Sequence, residues 1–305
     1  MINYSCDVYT PFYQYRHRLY ESFVASSVLL GLQIIPAVIF NLSILLVIWK
    51  TPTLQSPSYL FLFNLAVSDL AIAIVGSPSV IFNLMSHVYE LDHQLICISV
   101  YSCCVLSSIF SSVSFLTITA ATVDRYLALK LHLSYAARVT TFRVVGVCGF
   151  MWLFCIAISS LLIVSIQLYC LIVFPTLLFC LSLMVFCYCK ILIVIRHHHK
   201  QIQCQLNPSQ VKEPPLQNMS RFKKSTYNIL LVFALSILLY SPVVIGLLAL
   251  VFNENVFMNG LRFFVLVFPF VFMNSTLNPL LYCWRLTDIR QALKQKWRQL
   301  CCRNS

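Results

Sequence analysis

The sequence predicts an all-α membrane protein: a seven-transmembrane helix bundle with its N-terminus outside and an amphipathic eighth helix on the inner interface. Three observations carry this reading. Hydrophobic residues make up 60% of the 305-residue chain and charged residues only 10%, against roughly 45–50% and 25% in soluble domains. The apolar residues come in long blocks without charge. The basic residues gather on alternate connections between those blocks.

No Asp, Glu, Lys or Arg occurs between Glu21 and Lys50, and we place the first span at 23–49. Between Lys50 and Glu90 the only charge is Asp69, which gives a second span at 57–84. The uncharged stretch from Asp92 to Asp124 gives the third, at 95–124. Between Arg143 and Lys190 there are 46 residues without a charge. As one helix they would reach about 69 Å, more than twice the roughly 30 Å of bilayer hydrocarbon. That block is therefore two spans, 142–165 and 167–195, meeting around Ser165-Ile166-Gln167. The sixth and seventh spans are 225–252 and 261–284. Helix is required because lipid leaves backbone groups no water partner, and the unbroken runs do not fit the alternation of a barrel.

Residues 1–22 form an outer N-terminal segment, and 285–305 an inner interfacial helix and tail. In that tail Ile289, Leu293, Trp297 and Leu300 recur at helical spacing, with Arg290, Lys294 and Arg298 between them. Such a helix lies in the plane of the interface. Cys301 and Cys302 follow it as candidate palmitoylation sites. Asn3-Tyr4-Ser5 is a candidate glycosylation acceptor on the outer side.

Charge sets the orientation. Connections on the N-terminal side hold 3 of the 21 Lys and Arg, and those on the other side hold 18. The positive-inside rule places the second set in the cytoplasm, so the C-terminus is cytoplasmic. The net charge of +12 is then a matter of topology. It favours contact with anionic membrane lipids and excludes nucleic acid as a partner. No Ser/His/Asp set or metal cluster stands at bilayer depth, so the chain is not expected to be an enzyme or to carry a cofactor. His197, His198 and His199 read as a wet helix end, since three successive histidines cannot point one way on a helix.

An ionisable side chain in mid-membrane is costly and faces the bundle interior for a reason. Asp69 is such a residue, and Asn41, Ser114, Asn274, Ser275 and Asn278 lie at similar depth. One carboxylate among neutral oxygens suits a small hard cation such as sodium. Asp124-Arg125-Tyr126 ends the third span, and Asn278-Pro279-Leu280-Leu281-Tyr282 ends the seventh, where Pro279 removes a backbone donor. We expect Asn278 to satisfy the carbonyl thus freed.

With both motifs at the inner face of seven spans, the chain resembles the rhodopsin-like (class A) G-protein-coupled receptors, from about Asn41 to Cys302. Asn41 and the run Asn64-Leu65-Ala66-Val67-Ser68-Asp69-Leu70 resemble the family's first- and second-helix signatures. Trp152, Tyr188 and Pro242 resemble its fourth-, fifth- and sixth-helix markers. The resemblance implies an allosteric sodium site at Asp69, Ser114, Asn274, Ser275 and Asn278. It implies that Arg125 swings from Asp124 toward Tyr188 and Tyr282 as an inner cleft opens for a heterotrimeric G protein. It also implies a multi-pass protein of the plasma membrane.

The departures matter as much. Pro175 lies 13 residues before Tyr188, where the family's proline lies 8 before and Cys180 stands here. Leu239-Tyr240-Ser241-Pro242 replaces the usual Cys-Trp-x-Pro. No acid precedes Lys223, so a lock from the sixth helix to Arg125 is not expected. The very short second outer loop and the missing proline resemble features of the melanocortin, lysophospholipid, cannabinoid and adenosine receptor branch. Three cysteines lie near the outer side, Cys6, Cys97 and Cys170, and allow three pairings. Cys97–Cys170 is the pair we expect.

Ser107 stands where amine receptors place an aspartate, and Phe272 where opsins carry the retinal lysine. The pocket that the resemblance implies holds Ser107, Ser111, Tyr240, Val243, Leu247, Phe264, Phe268 and Phe272. Apolar burial would dominate binding there, with serines adding hydrogen bonds. This points to a neutral or lipid-like small molecule, with aromatic core packing as the alternative. A transporter or channel using Asp69 is the rival class, although no inverted repeat is evident. A chemosensory or ligand-independent receptor would share the fold.

Overall fold

The computed structural model describes residues 12, 14–131, 134–205, 231, 234–235, 237–239, 241–242, 257–285 and 289–294, and the side chains of all of these except 195–205, 257–258 and 282–285. Among them no strand occurs. The first span is the helix Arg16–Lys50, the third His93–Leu131, the fourth Thr141–Val164, the fifth Ile166–Gln205 and the seventh Phe257–Arg285. The second runs through Pro57–Val88. Six helices are thus long and apolar enough to cross a membrane among the described residues. Of the sixth span only residues 231, 234–235, 237–239 and 241–242 are described, and these are helical.

The helices overrun the apolar limits because charge ends a lipid-facing segment without ending a helix. The first begins at Arg16, well before the apolar run, and ends at Lys50. It stops there because Pro52 disfavours helix in the residue before it, and Thr51 is extended. Pro57 opens the second helix at a position where its missing N–H costs nothing. Thr140 caps the fourth helix, its hydroxyl accepting from the Arg143 N–H at 3.4 Å.

The fourth and fifth helices meet at one residue. Ser165 is extended, donates its N–H to the Leu161 carbonyl at 2.8 Å, and accepts the Leu168 N–H on its hydroxyl at 3.4 Å. It closes one helix and opens the next, as the uncharged block required.

Two irregularities were not foreseen. Within the second span, Ile72–Gly76 forms a π turn, and the Ser77 N–H reaches the Ile72 carbonyl. Pro78 lies just beyond and leaves the Ile74 carbonyl without an α-helical donor, so the local ladder has reason to rearrange. At the outer end of this span Glu90 has φ 51°, and the Leu91 N–H bonds the Ser86 carbonyl at 3.1 Å. That is a left-handed helix stop in which glycine is usual. A glutamate there costs about 1 kcal/mol. Its carboxylate meets Arg16 at 3.5 Å and His17 at 3.6 Å.

The third helix packs against the second, fourth and fifth, and the first against the second and seventh. The fourth and fifth helices turn large apolar side chains outward: Phe150, Leu153, Leu171 and Phe179 are exposed. In lipid such a surface needs no covering. The largest buried cluster lies toward the inner half, around Ile44, Ile48, Leu65, Met184 and Tyr188. Ile289 joins it fully buried, with Leu293 packed against it, while Arg290 and Lys294 are exposed. The described part of the tail, 289–294, is thus a helix with its apolar side against the bundle. Trp297, Leu300, Cys301, Cys302 and Asn3 lie outside the described residues.

Candidate functional site

Three groups of side chains lie along the bundle axis. The middle group surrounds Asp69, which is 1% exposed. Its Oδ1 accepts from the Ser114 hydroxyl at 3.3 Å and its Oδ2 from the Asn278 amide at 3.1 Å. The Ser275 hydroxyl faces the same carboxylate without completing a hydrogen bond. Asn274 is buried in the next position. The sequence placed these five residues at one depth, and the second, third and seventh helices bring Asp69, Ser114, Ser275 and Asn278 together.

The freed carbonyl of the seventh helix has a different partner from the one expected. Pro279 has no N–H for the Ser275 carbonyl four residues earlier. That carbonyl accepts from the Asn41 amide at 2.8 Å, and the same amide donates to Ala37 at 2.9 Å. Asn41 on the first helix therefore repairs the kink, which releases the Asn278 amide for Asp69. Beside this, Trp152 Nε1 donates to Asn64 Oδ1 at 3.0 Å and Asn64 Nδ2 to Thr117 at 2.7 Å. These bonds tie the second, third and fourth helices.

Buried oxygens are left over. The Asn278 Oδ1, the Ser275 Oγ and the Thr276 Oγ1 have no hydrogen-bond partner. Unpaired buried acceptors cost free energy unless an ion or water meets them. A carboxylate with neutral oxygens beside it is the donor chemistry of a hard monovalent or divalent cation. The residues present fit a sodium ion.

The inner group centres on Asp124, 4% exposed. Its Oδ2 accepts from the Ser58 hydroxyl at 2.7 Å and its Oδ1 from the Tyr135 hydroxyl at 2.6 Å. Tyr135 lies on a short helix, Tyr135–Arg138. Burial first, and then the bond to Asp124, push its phenol up to about 12, so it remains a donor at physiological pH. Arg125 makes no ion pair with Asp124, which corrects our expectation that it starts from there; its Nε is buried without a hydrogen-bond partner. Two hydroxyls already occupy one acceptor position on each oxygen of that carboxylate. The Tyr188 hydroxyl lies 3.3 Å from that of Thr122, one turn before Arg125, so the fifth helix already touches the third there. Tyr126 packs edge-on against Phe186, ring centroids 6.1 Å apart. Pro242 is in a helical piece of the sixth span, and the Tyr282 side chain lies outside the described residues.

The outer group is aromatic. Phe264, Phe268 and Phe272 follow one another down the seventh helix with their rings tilted and centroids 5.7 and 5.4 Å apart. Phe272 is buried with Leu30, Ile72, Val80 and Cys103, while Phe264 and Phe268 are half-buried against them. Ser107 is buried with its hydroxyl unpartnered, and Ser111 is half-buried. Tyr240, Val243 and Leu247 lie outside the described residues. The expected Cys97–Cys170 bond is not formed: Cys170 is a free thiol, and Cys97 is disulfide-bonded elsewhere. The one-residue Ser165 connection puts Cys170 already on the fifth helix, with no loop to carry it across to Cys97.

Sequence reasoning missed Ser58 and Tyr135 at the inner face, and Phe12, whose ring lies 6.2 Å from that of Phe264. It also missed a hydroxyl trio in which Ser108 Oγ lies 2.8 Å from Ser159 and 2.7 Å from Tyr169. None belongs to a motif, and only the packing brings them together.

The family model described as 7 transmembrane receptor (rhodopsin family) matches residues 40–282, most of the chain. The chain belongs to the rhodopsin family of seven-transmembrane receptors. This receptor is 24% identical over 282 residues to melanocortin receptor 5 of Rattus norvegicus, covering 86% of this chain and 80% of that one. It is 25% identical over 276 residues to melanocortin receptor 4 of Danio rerio, covering 86% and 79%. Neuromedin-U receptor 2 of Mus musculus is 31% identical over 137 residues, 44% of this chain and 33% of its own. The receptor is a multi-pass membrane protein that signals through G proteins, and nothing supports the transporter reading.

Proposed function

We propose that this receptor sits in the plasma membrane with its C-terminus in the cytoplasm and couples an extracellular neutral or lipid-like small molecule to a heterotrimeric G protein. The observation that carries the ligand class is the outer group: the tilted rings of Phe264, Phe268 and Phe272 and, on the third helix, a buried Ser107 hydroxyl without a partner, with no charged group among these four. An apolar ligand gains from burial there, and the serine supplies one directional bond.

The mechanism is a population shift between two helix arrangements, with outer and inner sites reciprocally coupled. Asp69, Ser114, Ser275 and Asn278, with Asn274 beside them, would hold a sodium ion, whose charge would neutralise the buried carboxylate in the resting arrangement. Arg125, unpaired with Asp124, reaches the G protein with Tyr188, Tyr126 and Tyr282, while Pro242 and Pro279 provide the bends about which the helices move. Asn3, Cys301 and Cys302 remain the proposed sites of glycosylation and palmitoylation. The test is Arg125→Ala in cells: surface expression stays near wild type and receptor-stimulated nucleotide exchange is lost. A variant that exchanges nucleotide at the wild-type rate would overturn the assignment. A neutral lipid and metabolite panel, read with Phe268→Ala, tests the ligand class.

A further inference from the structure

We propose that the seam between the inner ends of the third and fifth helices binds the phosphomonoester headgroup of a membrane lipid, with Lys130 and Lys190 as its two cationic contacts. Which leaflet supplies that lipid rests on the proposed orientation of the receptor; the site itself rests on the side chains.

The third and fifth helices, His93–Leu131 and Ile166–Gln205, cross the membrane in the same direction. Each carries an aromatic residue followed four positions later by a lysine: Tyr126 and Lys130, Phe186 and Lys190. Residues four apart share one face of a helix, and a long side chain leans back toward the preceding turn. Both lysines do so. The Lys130 ammonium lies 5.8 Å from the centroid of the Tyr126 ring, and the Lys190 ammonium 5.7 Å from that of Phe186. The two rings meet edge-on, centroids 6.1 Å apart. Two lysine–aromatic pairs on different helices are thereby joined at one seam. Beneath them Leu129 and Ile191 are buried, with Tyr126 and Val194 packed against them.

A ring face attracts an ammonium group and holds it in place, but it leaves the charge unneutralised. Among the described residues neither lysine meets a carboxylate. Asp124, the acid nearest to Lys130 in sequence, is taken by the Ser58 and Tyr135 hydroxyls. A lysine at the end of a span ordinarily extends its ammonium toward water. These two fold back over rings one turn nearer the bilayer centre, so their charges face the headgroup layer.

The occupant follows from charge and from the neighbouring surface. A phosphodiester headgroup brings one negative charge. A phosphomonoester brings about −1.5 to −2 and three acceptor oxygens, enough to meet both lysines. Val185, Phe186 and Ile193, around Lys190 on the fifth helix, are exposed apolar side chains. They suit acyl chains rather than an acidic peptide. A phosphate held by both lysines ties together the inner ends of the helices that carry Arg125 and Tyr188.

The probe is phosphatidic acid, with phosphatidylcholine for comparison, titrated into full-length receptor in detergent micelles and read as bound lipid by native mass spectrometry. Wild-type receptor is expected to retain phosphatidic acid in preference to phosphatidylcholine. K130Q and K190Q should each weaken that binding about fivefold, the effect of one basic residue beside an anionic lipid. F186L keeps every charge and should weaken it about two- to fivefold, because the ammonium loses the ring that positions it. K294Q, on the inner interfacial helix, should change it less than about twofold. Wild-type binding by the double variant K130Q/K190Q, or an equal loss in K294Q, would overturn the site. Displacement of the lipid by excess inorganic phosphate would do the same, since a free anion would then be the ligand. The rival occupant is an acidic segment of the G protein. In nanodiscs of phosphatidylcholine alone the double variant should keep wild-type basal nucleotide exchange; a loss there gives the lysines to the G protein and refutes the lipid site. Lipid binding is read without a G protein, so failure of the receptor mechanism and failure of the site are distinct results.

Discussion

Asp124 accepts hydrogen bonds from two neutral hydroxyls, those of Ser58 and Tyr135. Arg125 at the next position makes no ion pair with it, and the two hydroxyls compete with the guanidinium for the carboxylate. Removing one hydroxyl should readmit it. Tyr135→Phe is therefore expected to lower basal nucleotide exchange about five- to tenfold, the size of one net hydrogen bond of roughly 1–1.4 kcal/mol. A basal rate at or above wild type would contradict the competition. Asp69 offers a second prediction at this scale. In detergent, wild-type receptor should unfold about 2–4 °C higher in sodium than in choline chloride, as expected for an ion near tenfold its dissociation constant. Asp69→Asn should abolish the difference while keeping the bonds to neutral partners. Asp69 was visible in the sequence because a lone charge in an apolar run stands out. Tyr135 was not, since a tyrosine in an inner connection resembles any interfacial tyrosine until the chain folds beside Asp124.

At the level of elements, the spans were legible because a bilayer demands a minimum apolar length, and charge marks where that length ends. Their true helix ends were less so. Backbone hydrogen bonding continues past the lipid until a proline or an extended residue stops it, as at Thr51 and Ser165. The kink repair shows the same limit. Sequence locates Pro279 and the freed carbonyl, but the choice between Asn278 and Asn41 depends on which helix lies alongside. Gly76, in the π turn, gives a prediction. A Cβ there would meet Phe272 at 3.6 Å and Phe110 at 3.7 Å, ordinary contact distances. Gly76→Ala should thus be tolerated and raise thermal stability, by up to about 1 kcal/mol from the lost backbone freedom of glycine. A fall in melting temperature would mean that the turn itself needs glycine.

At the scale of the whole molecule, the charge asymmetry of 3 against 18 basic residues predicts one orientation. A C-terminal epitope should be detected in permeabilised cells only, and an N-terminal one in intact cells. The reverse staining would overturn the orientation and remove the oxidising side that Cys97 requires. The fold was legible from composition and charge because the solvent, a 30 Å apolar slab, does most of the specifying. The absence of a Cys97–Cys170 bond was not, because three outer thiols admit three pairings and only the folded chain shows Cys170 as a free thiol within a helix.

The π turn also bears on the phase of the second span. An extra residue in one turn rotates everything beyond it by about 100° relative to a continuous α-helix. The inner half of the span presents Asp69 to Ser114 and Asn278, and the outer half presents Asn83 to Ser99 at 2.9 Å. A chain one residue shorter within 72–76, wound as plain α-helix, would keep both Asp69 and Asn83 on the faces they hold, whereas a span of the present length without the wide turn would rotate Asn83 by about 100°. Between the two sites the backbone acts as a fixed coupling whose setting is one residue wide.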